Sequence, residues 1–133
     1  MSKEFIIKNI LKEATINKYP YPKTFELLKS NGLLKYHIHF ANYYKAVFEL
    51  DSSTFVENTL EGYVPVKASE LFNNAGIQNA IHKHIVEHTD YIDFLHDIAA
   101  NGATHYKVDI AKRTVTYFND AEDQHHTEHV PTV

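Results

Sequence analysis

Cysteine is absent from this chain. That excludes a disulfide framework, a thiol nucleophile and a Cys-type zinc site. Glycine is scarce: the four residues, Gly32, Gly62, Gly76 and Gly102, are never clustered. No Gly-rich loop is therefore available to cradle a phosphate. Serine is sparse and no nucleophile elbow occurs, which argues against nucleophilic Ser catalysis as the missing cysteine does against Cys. No apolar run approaches the ~20 residues of a membrane span. The start, MSKEFIIKNILKEA, is too charged and its apolar run too short for a signal peptide. Basic residues do not dominate: net charge is −4, with both signs interspersed. That argues against nucleic acid as a partner, which would call for a Lys/Arg-rich face. These absences predict a soluble, cytoplasmic protein with no cofactor and no membrane or nucleic-acid partner.

The chain is nevertheless equipped to fold. Its 133 residues are 44% hydrophobic and 13% aromatic, enough for one domain with its own core. Residues 5–48 and 75–118 read as two copies of one unit, offset by 70 positions. Ile7 matches Ile77, Asn9 matches Asn79, and Tyr21 matches Tyr91. Asn31-Gly32 matches Asn101-Gly102, Tyr36 matches Tyr106, Ala41 matches Ala111, and Phe48 matches Phe118. The identities are few, so their placement carries the argument. Each Asn-Gly follows a helical pattern, and each Tyr opens an alternating one.

An Ile6, Ile7, Ile10, Leu11, Ala14 stripe predicts a helix over residues 3–16. Pro20 and Pro22 break it, and Pro22 suits the first turn of a second helix running to Ser30. Leu34, Tyr36, Ile38 and Phe40 alternate with Lys35, His37 and His39, which is the period of a half-buried strand. A turn at Ala41-Asn42 and a return strand over 43–50 follow. A short strand is placed at Thr54–Val56 and a third, edge strand at Tyr63–Val66, where Pro65 tolerates an edge. Ser69 opens a third helix carrying Leu71, Phe72, Ile77, Ala80, Ile81, Ile85 and His88. Thr89-Asp90 caps a fourth, which Asn101-Gly102 ends. Tyr106, Val108 and Ile110 then alternate with His105, Lys107 and Asp109. Residues 114–118 return with Val115 and Tyr117 inward and Thr114 and Thr116 outward. The polar tail, 119–133, adds a ragged edge strand. The fold class is α+β: one domain, two αα-ββ pseudo-repeats, and an antiparallel sheet packed on helices.

The ten histidines are the compositional oddity. His84 and His88, one helical turn apart, are metal-ligand candidates. They lack the catalytic Glu of a zincin, and a third ligand would have to come from His96 or Asp90. The competing reading makes them edges of an apolar stripe. His125, His126 and His129 sit in the polar tail. His37, His39, His105 and Asp109 occupy the polar phase of their strands and are predicted to share one exposed sheet face. Their imidazoles would titrate at about pH 6–7. That face is either a binding surface or merely a solvated one. Tyr43 and Tyr44, at a hairpin tip, are candidates for an exposed aromatic contact with a partner.

From Thr89-Asp90-Tyr91 onward the chain resembles a known family. Phe94, Gly102, Tyr106-x-Val108-Asp109, Thr114-x-Thr116-Tyr117-Phe118 and Glu128-x-Val130-Pro131 carry the likeness. So do Gly32, Tyr36-x-Ile38 and Val47-Phe48. The pattern is similar to the YbcV/YdfO-like domains of unknown function, bacterial and prophage-encoded, some labelled phage envelope proteins. Leu95 and Val115 stand where that family has cysteines. Asn42-Tyr43-Tyr44 replaces its Asp-Gly-His hairpin tip, so no role for those side chains carries over. The resemblance implies no activity. The expectation is a small non-catalytic interaction or regulatory protein, acting on a protein partner or by self-association. The alternative is a small-molecule binder or acid–base enzyme working from the His/Asp-bearing face.

Overall fold

A computed structural model describes residues 2–132. Helices α1 (Lys3–Ile16) and α2 (Tyr21–Ser30) precede strands β1 (Leu33–His39), β2 (Lys45–Leu50) and β3 (Thr54–Glu57). Helices α3 (Asn74–Glu87) and α4 (Tyr91–Ala100) precede β4 (His105–Asp109), β5 (Thr114–Phe118) and β6 (His125–His129). The six strands form one antiparallel sheet in the order β3-β2-β1-β4-β5-β6. The helices cover one face, giving a single α+β domain.

The two halves meet at the β1–β4 pair. Lys35 pairs with Asp109, Tyr36 with Val108, His37 with Lys107, Ile38 with Tyr106, and His39 with His105. Under the 70-residue offset this register maps onto itself, with His37 and Lys107 at its centre. The helix packing repeats in the same way. Ile7 and Ile77, Phe25 and Leu95, and Leu28 and Ile98 are all fully buried at equivalent positions. Tyr21 bonds Tyr36 hydroxyl to hydroxyl, and Tyr91 bonds Tyr106 at 2.5 Å. Asn31 and Asn101 each donate from their side-chain amide to the carbonyl four residues back, Leu27 and Asp97. Gly32 (φ 89°) and Gly102 (φ 97°) then turn the chain out of α2 and α4 in the left-handed region.

Four expectations are corrected. The third helix begins at Asn74, not Ser69. The preceding segment gives its backbone N–H groups to the end of α4, Ser69 to Ala99 O and Asn73 to Asn101 O. Leu71 is consequently 81% exposed. Residues 63–66 join no sheet strand. β3 already holds the edge beside β2, and Val66 makes only a parallel bridge to Ala41. Asp90 stands at the N-cap of α4 but makes no side-chain cap bond, and the Thr89 hydroxyl bonds the His84 ring instead. Phe48 is equivalent to Tyr117, not to Phe118. Phe48 pairs with Tyr36 and Tyr117 with Tyr106, because the β1–β2 connection is one residue longer than the β4–β5 connection. Phe118 therefore faces away from the core. Among the described residues, no helix is long and apolar enough to cross a membrane.

Candidate ring row on the helix-free sheet face

The strand phase that points away from the helices carries the polar residues. On β1 these are Lys35, His37 and His39, and on β4 His105, Lys107 and Asp109. Thr114, Thr116 and Phe118 follow on β5. His37, His39, His105 and Asp109 thus share one face, but they do not converge. Because β1 and β4 are antiparallel, His39 sits opposite His105 at one end and Asp109 opposite Lys35 at the other. Four residue steps along the strand separate them, roughly 13 Å. Asp109 is engaged locally. Its Oδ1 accepts from the Lys112 backbone N–H at 3.1 Å, and its Oδ2 lies 4.0 Å from Lys35 Nζ.

At the His39–His105 end a row of rings crosses the sheet. Tyr43 stacks on His39, with centroids 4.1 Å apart and planes 14° apart. His39 lies parallel to His105 at 6.0 Å, and His105 parallel to Phe118 at 5.3 Å. His37 approaches His105 at 5.1 Å in a tilted arrangement. The spacing follows from the strand separation, because side chains on neighbouring strands stand side by side. His105 was expected to be exposed, yet it is 5% exposed, walled by these rings and by the β5–β6 turn.

Glu122, in that turn, closes the row. Its Oε1 accepts from Lys107 Nζ at 2.8 Å, and its Oε2 lies 3.4 Å from His105 Nε2. The Lys107 ammonium also sits 5.1 Å over the Phe118 ring. His105 Nδ1 contacts the Thr104 hydroxyl at 2.8 Å. A carboxylate can only accept, so the tautomer that suits both neighbours has Thr104 donating to Nδ1 and a proton on Nε2. The 3.4 Å approach is long, and Nε2 is left buried without a partner in hydrogen-bond geometry, as is His37 Nε2. Burial disfavours the imidazolium at both. The His37 pKa falls to about 4, through desolvation first and then the neighbouring His105 and Lys107 charges. That of His105 is lowered by desolvation, against the opposing pull of Glu122. The expectation of titration at about pH 6–7 does not hold for His37. Lys107, by hydrogen bond and charge, holds the Glu122 carboxyl below its ordinary range.

Apart from Tyr43, the remaining candidates lie away from the row. Tyr43 is 55% exposed at the tip, whereas Tyr44 turns inward against Tyr63 at 5.7 Å, so they form no exposed pair. Burial raises the Tyr44 pKa to about 12. His84 stacks on Phe94 at 4.6 Å and bonds Thr89, while His88 ends α3 with φ 53°. Among the described residues, no three His, Asp or Glu side chains are placed to share a metal ion. A cleft of about 580 Å³ lies between Phe72, Asn73 and Asn74 on one side and Asp123, Gln124 and His125 on the other, and none of the row's rings lines it. Sequence reasoning missed Phe118 and Glu122. Phe118 was misaligned with Phe48, and Glu122 reaches the site only through the length of its turn.

That length has a counterpart in the other half. The β2–β3 connection has three residues, 51–53, but the equivalent β5–β6 connection has six, 119–124. The β1–β2 connection has five, 40–44, against four, 110–113, between β4 and β5. Both longer connections lie at the His39–His105 end. One delivers Tyr43 to the row and the other delivers Glu122. The two departures from internal symmetry thus meet on the same rings.

The family model described as "Protein of unknown function (DUF1398)" matches residues 8–129. No curated protein matches the chain. The chain belongs to the DUF1398 family.

Proposed function

We propose that this DUF1398 member is a small non-catalytic binding protein that engages a protein partner through the Tyr43–His39–His105–Phe118 end of its sheet. The observation that carries this reading is the meeting of both lengthened connections on one row of rings in an otherwise repeated fold. Aromatic rings with a polar rim suit a protein contact. The resemblance to YbcV/YdfO-like proteins supports a bacterial, prophage-related and cytoplasmic setting. The even charge balance and net charge of −4 favour a protein over nucleic acid as the partner. Affinity capture with the wild type and a His39→Ala, Tyr43→Ala variant tests the reading. A partner retained by the wild type and lost by the folded variant is the expected result. Equal retention by both would overturn it.

A second reading, ligand binding with acid–base chemistry, draws support from the buried, partnerless Nε2 atoms of His37 and His105. It predicts that a small molecule shifts the His37 and His105 ring signals in NMR without any protein partner. Asp109, at the opposite end of the face, is outside that chemistry.

A further inference from the structure

Resting on the reading above, we infer that the His105–Lys107 pair is a carboxylate-binding site and that Glu122 is its built-in occupant, displaced when an acidic side chain of the partner docks. The chain supplies both halves of the interaction. Lys107 Nζ holds one oxygen of Glu122 at 2.8 Å, while His105 Nε2 lies 3.4 Å from the other. A planar carboxylate is thus set against two donors on alternate residues of one strand. The fit at His105 is incomplete: the imidazole is 5% exposed, yet its Nε2 has no partner in hydrogen-bond geometry. A buried donor facing an approximately placed acceptor is a site its resident group fills only in part.

Glu122 is also positioned to leave. Its side chain is 43% exposed and that of Lys107 46% exposed, so neither is trapped. The turn that carries it is three residues longer than its counterpart in the other half, and Glu122 itself sits at φ 59°, a region sparsely used by residues other than glycine. The turn is held through backbone and base contacts that do not involve the Glu122 carboxylate, including the Glu122 N–H to Asn119 O at 3.1 Å. Asn119 donates to Asp123 Oδ1 at 2.6 Å and accepts from the Gln124 N–H at 3.1 Å. A competing carboxylate can therefore take the Lys107 and His105 donors while the base of the turn stays in place. Tyr43 and Phe118, at the two ends of the ring row, would bound the incoming side chain.

The test uses acetate as the probe and NMR of the histidine ring signals as the readout. Glu122→Gly removes the resident carboxylate and suits the positive φ, so the turn is kept. Acetate should shift the His105 and His37 signals saturably in Glu122→Gly, with an apparent affinity about tenfold above the wild type. Adding Lys107→Met to that variant should abolish the response. Glu122→Gln, which keeps the side-chain length and loses the charge, should change affinity in the same direction and serves if the glycine variant folds poorly. Equal acetate affinity in wild type and Glu122→Gly, no response in either Glu122 variant, or tighter binding of inorganic phosphate than of acetate would each overturn the inference. Partner capture that depends on Tyr43 and His39, with acetate silent, overturns the carboxylate site alone. A response to acetate with no partner captured overturns the interaction reading instead.

Discussion

Single residues differ in how much of their role is local. Gly32 and Gly102 hold equivalent positions with positive φ, yet their surroundings differ. A Cβ on Gly32 meets only the flexible end of Lys3, at 3.3 Å. One on Gly102 would stand 2.6 Å from Leu71 O and 2.7 Å from Phe72 Cα, both backbone atoms. Gly32→Ala should therefore destabilise by about 1 kcal/mol and Gly102→Ala by at least about 2 kcal/mol, read from denaturant melts. Equal losses would show that the docked 69–73 segment yields freely. His37 gives a pH signature. Its pKa is about 4 in the fold against 6.5 as a free side chain. Above 6.5 both states are neutral and it has no effect. As pH falls from 6.5 toward 4 the unfolded chain takes the proton first, so stability is lost across that window. Because His37 is only partly buried, solvent screening reduces the loss it contributes to about 1–2 kcal/mol. Melting temperature against pH should fall less steeply for His37→Gln.

At the scale of elements, connections decide what the strands display. The β5–β6 turn depends on Asn119, whose side chain bonds Asp123 and Gln124 and whose carbonyl accepts from the Glu122 N–H at 3.1 Å. Asn119→Ala should destabilise by about 1 kcal/mol. Amide exchange at Gln124 should rise, and the His105 ring signals should move as Glu122 loosens. Arg113, at the β4–β5 tip, joins three elements. It stacks on Phe25 of α2 at 4.6 Å, pairs with Glu26 at 2.5 Å, and donates to the Val130 and Pro131 carbonyls past β6. Arg113→Met keeps the apolar stem but loses these bonds. It should cost roughly 1–3 kcal/mol and raise amide exchange along β6 before the rest of the sheet.

The whole molecule is two similar halves whose strands join at the β1–β4 pair. The Tyr21–Tyr36 and Tyr91–Tyr106 bonds are buried at equivalent places, and burial raises all four hydroxyls well above the ordinary phenol range. Tyr36→Phe leaves the Tyr21 hydroxyl with no partner, and Tyr106→Phe does the same to Tyr91. Each should destabilise by about 1–3 kcal/mol, while Tyr21→Phe combined with Tyr36→Phe should be closer to neutral. Chemical denaturation of the three variants checks this. A large difference between Tyr36→Phe and Tyr106→Phe would show that the halves carry unequal loads.

Much of this architecture was legible in the sequence, because it depends on local periods. The Ile7 and Ile77 stripes, the two Asn-Gly stops and the Tyr36 and Tyr106 alternations each act within a few residues, through side-chain direction and backbone sterics. They determined four helices, amphipathic strands and a repeated order. The shared face of His37, His39, His105 and Asp109 followed from alternation alone. What alternation cannot state is which ends of two strands lie together. The β1–β4 register brought His39 to His105 and sent Asp109 to Lys35. Loop length, unreadable as a pattern, placed Phe118 outward and laid Glu122 across the row. Burial of His105, and with it the lowering of its pKa, arises only when separate segments enclose one ring. Local preference chose the elements; pairing between distant strands decided the site, because desolvation and hydrogen-bond partners are properties of neighbours in space.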